Sequence, residues 1–71
     1  MWVLTVTEVN NMIPDEIEFR GMVYFQRGPA REDEGLAQME ASMLRTTEGL
    51  RAVVKRFGKW FQVFVRDPKN W

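Results

Sequence analysis

Nucleophilic and metal-dependent chemistry have few residues to draw on in this chain. It contains no His and no Cys, so the commonest general base, the commonest metal ligand and the thiolate nucleophile are all missing. Ser42 is the only serine and has no imidazole to activate it. Adjacent acids occur at Asp15-Glu16 and in the run Glu32-Asp33-Glu34. The first pair sits at a turn. The second opens a predicted helix, where negative charge is favoured by the helix dipole. Neither has the alternating ligand spacing of a calcium loop. The five glycines at 21, 28, 35, 49 and 58 stand apart, so none forms a phosphate-cradling loop. The expectation is a chain that is not an enzyme and takes no cofactor or metal.

A second group of residues does have a recognisable chemistry. Between positions 51 and 66 the aromatic side chains Phe57, Trp60 and Phe64 are interleaved with Arg51, Lys55 and Arg66. Rings flanked by cations suit two kinds of partner. Hot spots of protein interfaces favour Trp, Tyr and Arg, and sheet-faced domains that hold single-stranded nucleic acid stack bases on rings while cations follow the phosphates. The elements that carry these residues decide whether they form one surface.

Leu50 to Phe57 admits two readings. It continues the preceding helix through Gly49, or Gly49 ends that helix and the segment is a strand. In the second case Gly58-Lys59 is a two-residue hairpin loop with glycine first, as a type II′ turn requires. Phe57 then faces Trp60, Lys55 faces Gln62, Val53 faces Phe64 and Arg51 faces Arg66. The other side gathers Leu50, Ala52 and Val54 with Phe61, Val63 and Val65, apolar apart from Arg56 near the turn. A one-residue slip would scramble this partition, which favours the hairpin.

Upstream, Trp2 to Val9 is rich in β-branched residues and predicts a strand, followed by a turn at residues 10–15. Ile17, Phe19, Val23 and Phe25 alternate with polar neighbours, which predicts a second strand with Gly21 at a bulge or close approach. Arg27-Gly28-Pro29 ends it. Leu36, Met39 and Met43, with Ala37, Ala41 and Leu44, form a broad apolar stripe at helical spacing, the two methionines being expected to fill gaps in the core. The fold class expected is therefore α+β: an antiparallel sheet of four strands with one helix on one face, in the order β-β-α-β-β, as a single domain over residues 1–71. One helix covers one face. The other is expected to be open, presenting Tyr24, Arg51, Lys55, Phe57, Trp60, Phe64 and Arg66 to a partner, with Arg20 and Met22 extending it. The tail 67–71 reads as a turn whose Trp71 folds back on the sheet edge.

Composition bounds the partner. Hydrophobic residues make up 45% and charged residues 28% of the 71, which is too apolar for a disordered chain. No long apolar run predicts a membrane span or an export signal, and the Cys-free composition fits a reducing cytoplasm. The net charge of zero weighs against a dedicated nucleic-acid binder, whose affinity rests on phosphate neutralisation. It nevertheless conceals a split, with nine acids against four bases through Glu48 and six bases against one acid from Gly49. Two-signed surfaces orient partners. The leading expectation is a protein partner, a second copy of the chain among the options, with single-stranded nucleic acid as the alternative.

In its size, its lack of catalytic residues and its strand-helix-hairpin layout, the chain resembles the small inhibitors encoded by phages and other mobile elements, including anti-CRISPR proteins. The resemblance implies action by occluding a host protein surface. It carries no residue pattern and therefore assigns no site residues. The portion from Met22 to Asp67 is also broadly similar to half of a peptidoglycan-binding sporulation-related repeat. Such repeats face the periplasm, and the missing export signal argues against that reading.

Overall fold

A computed structural model describes residues 11–68. The expected strand Trp2–Val9 and the end of the tail lie outside them. Four strands and one helix follow in the order β-β-α-β-β: β1 (Glu16–Phe19), β2 (Met22–Arg31), α1 (Glu34–Thr47), β3 (Arg51–Phe57) and β4 (Trp60–Arg66). The strands form one antiparallel sheet in the order β1-β2-β4-β3. The α+β class and element order are those expected.

The first two strands arise differently from expectation. The segment expected to be one strand over 17–26 folds into a hairpin, with Arg20 at φ 54° and Gly21 at φ 79°. Positive φ at both positions of a two-residue loop is the backbone of a type I′ turn, whose twist matches that of the flanking strands. Ile17 therefore lies opposite Tyr24 and Phe19 opposite Met22, so these four share a face. Val23 and Phe25 turn to the other side. β2 also runs past its expected stop. The register shifts between Arg27 and Arg31, and Gly28 at φ 73° absorbs the irregularity.

The bulge explains a buried polar side chain. Gln62 is fully buried on β4, and its Nε2 donates to the carbonyls of Arg27 (2.9 Å), Gly28 (3.1 Å) and Val63 (3.0 Å). Two of these acceptors belong to the bulge, where the regular ladder is interrupted.

Asp33 caps α1, its Oδ1 accepting the Leu36 N–H at 3.2 Å. Gly49 at φ 67° ends it, with the Leu50 N–H donating to Leu44 O at 3.4 Å across the glycine. This selects the hairpin over the helix extension. The β3–β4 register agrees with expectation at every pair, including Arg51 with Arg66, Val53 with Phe64, Lys55 with Gln62 and Phe57 with Trp60. Gly58 has φ 63° at the first loop position. The Arg56 Nε donates to Gly58 O at 2.7 Å, which accounts for the one cation on the apolar side of the hairpin.

The helix rests on that apolar side through Ala37, Ala41 and Leu44, against Ala52 and Val63 and flanked by Val54, Phe61 and Val65. The alanines hold no side chain beyond Cβ, so helix and sheet approach closely. Leu36, Met39 and Met43 were expected in this core, and they are instead 48%, 69% and 58% exposed. The expected stripe spans more of the helix circumference than one sheet can cover, and the alanine side wins the contact.

The second face of the sheet also differs from expectation. It carries its own apolar cluster of Ile13, Tyr24, Ala30 and Phe64, with Ile17, Phe19, Val53, Phe57 and Trp60 packed against it. The sheet curls. In a flat sheet the edge strands β1 and β3 would lie three spacings, about 14 Å, apart. Yet the Lys55 Nζ of β3 sits 4.5 Å from the ring centre of Phe19 on β1. The segment before β1 is tied to this face as well, Gln26 N–H donating to Asp15 O at 2.8 Å.

Candidate binding surfaces

Curling divides the residues expected to form one open surface. Phe64 is 0% exposed and Tyr24 7% exposed. Their rings pack against Phe57 (centroids 6.0 Å apart) and Phe19 (5.9 Å, edge to face), respectively. Arg66 is 8% exposed. These three therefore belong to the interior or its wall, which corrects the expectation that they offer contact area to a partner. Lys55, Phe57 and Trp60 are half-buried and Arg51 is exposed. Lys59 Nζ stands 5.5 Å from the ring of Trp60.

The charges sort by side. On the helix side, Arg27 pairs with Glu48 at 2.9 Å and Arg31 with Glu40 at 3.0 Å, and Lys59 reaches Glu32 at 3.7 Å. Of these three pairs, Lys59–Glu32 alone joins an acid before Gly49 to a base after it, so they cancel little of the split seen along the sequence. The exposed pairs Arg27–Glu48 and Lys59–Glu32 add little to stability, whereas Arg31–Glu40 is part-buried. Together the pairs occupy three carboxylates, and no described carboxylate pairs with Arg20, Arg45, Arg51 or Lys55.

Tyr24, Arg51 and Arg66 do come together. They line a cavity of about 530 Å³ at the end of the sheet, where Arg20 arrives from the β1–β2 turn and Arg45 from the last turn of α1. Arg45 is held by two bonds to Ala52 O, from Nε at 3.1 Å and from a terminal nitrogen at 2.7 Å. Sequence reasoning gave Arg45 no part in any site. Its position in a last helical turn signals only a favourable cation at the dipole's negative end.

Separately, the outer face of α1 presents Leu36, Met39 and Met43 beside a shallow groove that also involves Arg31 and Glu40. These residues were legible in the sequence as apolar and helically spaced. Their direction was not. Among the described residues, no group of three or more acidic side chains gathers as a metal site, and no helix is long and apolar enough to cross a membrane.

Compared with protein-family models, with curated proteins and with solved structures, the chain matches none of them.

Proposed function

We propose that the chain is a non-enzymatic protein-binding module that offers the outer face of α1 to an apolar groove of its partner. One observation carries this reading: the three exposed apolar side chains Leu36, Met39 and Met43 recur at i, i+3 and i+7. That spacing is how a helix anchors itself in a groove. Methionine suits the role because its unbranched, polarisable side chain adapts to irregular surfaces. The reading keeps a protein as partner and moves the contact from the sheet to the helix. An inhibitor of the kind the chain resembles would need nothing more, since filling a groove occludes it.

The same area argues against a dimer held by this stripe alone. Three partly exposed side chains supply roughly 300 Å² per copy, well below the about 800 Å² per partner of a standard interface. A concave partner that wraps the helix gains more from each side chain.

The test uses the full chain as bait, followed by affinity measurement on the purified pair. Docking of each methionine should contribute about 1–2 kcal/mol, a fraction of the value for complete burial. Met39→Ala with Met43→Ala should then weaken binding on the order of a hundredfold while the circular dichroism spectrum stays unchanged. A partner that binds the double variant as tightly as the parent would refute the reading.

Arg51 and Lys55, without described carboxylate partners and on the same hairpin as half-buried Phe57 and Trp60, support a second reading as a single-stranded nucleic-acid binder. That reading requires affinity that falls steeply with salt, and a flat titration with oligonucleotides at low salt would dispose of it.

A further inference from the structure

The cavity at the end of the sheet collects guanidinium groups from three separate elements. Arg20 stands on the β1–β2 turn, Arg45 in the last turn of α1 and Arg51 at the start of β3, with Arg66 in the wall. None of the described lining residues is acidic. Glu48, just past the end of α1, is committed to Arg27. Cations gathered in this way repel one another, and an anion placed among them removes that cost.

We infer that this cavity binds a phosphate monoester, the ester of a small molecule. Three features point to that class. A phosphoryl group carries close to two negative charges and three strong acceptor oxygens, which matches several guanidinium forks better than a single carboxylate does, since one fork already satisfies a carboxylate. Arg45 is preorganised, because two of its nitrogens are fixed on Ala52 O and its other donors remain for a ligand. The remaining walls are apolar, from Phe19, Met22 and Val53 among others, and would receive the body of the ester. A volume of about 530 Å³ lies within the range of small-molecule sites.

This site shares no lining residue with the groove beside Leu36, Met39 and Met43. It therefore stands or falls apart from the protein-docking reading, and its test needs no protein partner. The full chain is titrated with phenyl phosphate, with inorganic phosphate and with phenol, at constant ionic strength, followed by nuclear magnetic resonance shifts of backbone and arginine Nε–H signals. The expected result is saturable binding of phenyl phosphate in the millimolar range or tighter, competed by inorganic phosphate and not matched by phenol. The signals that move should be those of Arg20, Arg45 and Arg51. Arg20→Gln and Arg51→Gln each remove a charge-assisted contact and should weaken binding about tenfold. Both residues are exposed, and an unchanged spectrum at positions away from the cavity would confirm the fold of either variant. Shifts that do not saturate, or affinities unaltered in both variants, would overturn the inference. Equal binding of phenol would overturn it too, because the phosphoryl group would then contribute nothing.

Discussion

Replacing Gln62 by Leu should destabilise the domain while leaving its shape almost unchanged. The side chain is fully buried, and leucine approximates its volume without its amide. The loss falls on the carbonyls of Arg27 and Gly28, which accept from Nε2 at 2.9 and 3.1 Å where the β2 bulge interrupts the ladder. A buried acceptor left without a donor costs about 1–3 kcal/mol. Here the two carbonyls are part-buried and water can reach them to some extent. We therefore expect about 1–3 kcal/mol for the pair together, on the same scale. For 71 residues the total stability should be about 4–11 kcal/mol, so the loss is a substantial share of it. Urea denaturation followed by tryptophan fluorescence should show a lower midpoint at an unchanged slope. In a thermal scan, each kcal/mol should lower the midpoint by about 4–8 °C. A change within about 0.5 kcal/mol, the range of an ordinary surface substitution, would refute the role assigned to Gln62.

Other substitutions separate contact from strain. Ala41→Leu forces a larger side chain between α1 and the sheet, where Ala41 is 0% exposed, and should cost about 1–3 kcal/mol or more in chemical denaturation. Gly28→Ala should be more costly than Gly21→Ala. Both glycines have positive φ, worth about 1–2 kcal/mol for an L-residue, but at Gly28 the new Cβ would also lie 2.6 Å from Glu40 Oε1, whereas at Gly21 it meets nothing within 4 Å. Equal losses in parallel melts would show that the close approach of Glu40 is unimportant. Light scattering should return a mass near 8.4 kDa across concentrations, and a stable dimer would contradict the area argument made for the helix stripe.

Sequence left residues 50–57 open between a helix extension and a strand, but within the strand reading the register of the C-terminal hairpin was legible, because only one register keeps its apolar side intact. The N-terminal hairpin was not. Ile17, Phe19, Val23 and Phe25 keep the same parity across Arg20-Gly21, which imitates one uninterrupted strand, although the turn sends the first two and the last two to opposite faces. A strand with apolar residues on both faces has no one-sided alternation from which to locate such a turn. Gly28-Pro29 reads as a stop in sequence, and only the carbonyls that accept from the Gln62 amide show why the strand survives it. For α1, existence followed from the acidic run 32–34 and the periodicity, whereas its C-terminal end stayed open until the positive φ of Gly49 settled it. Its facing was not legible, because hydrophobicity ranks Met39 and Met43 above Ala37 and Ala41, whereas close packing on a sheet ranks by size. The candidate site was mistaken for the same kind of reason. The residues Tyr24, Phe64 and Arg66 were correctly placed on one face, but the curl that closes this face shows only in contacts between the two edge strands, across the two inner ones, as Lys55 makes with Phe19.

The exposed apolar stripe of Leu36, Met39 and Met43 lies on the helix, while Tyr24 and Phe64 of the sheet are interior. Hydroxyl-radical footprinting of the free protein, read residue by residue by mass spectrometry, tests this arrangement most directly. Met39 and Met43 should be modified rapidly and Tyr24 and Phe64 strongly protected. Protected methionines together with readily modified Tyr24 and Phe64 would contradict it and return the contact surface to the sheet.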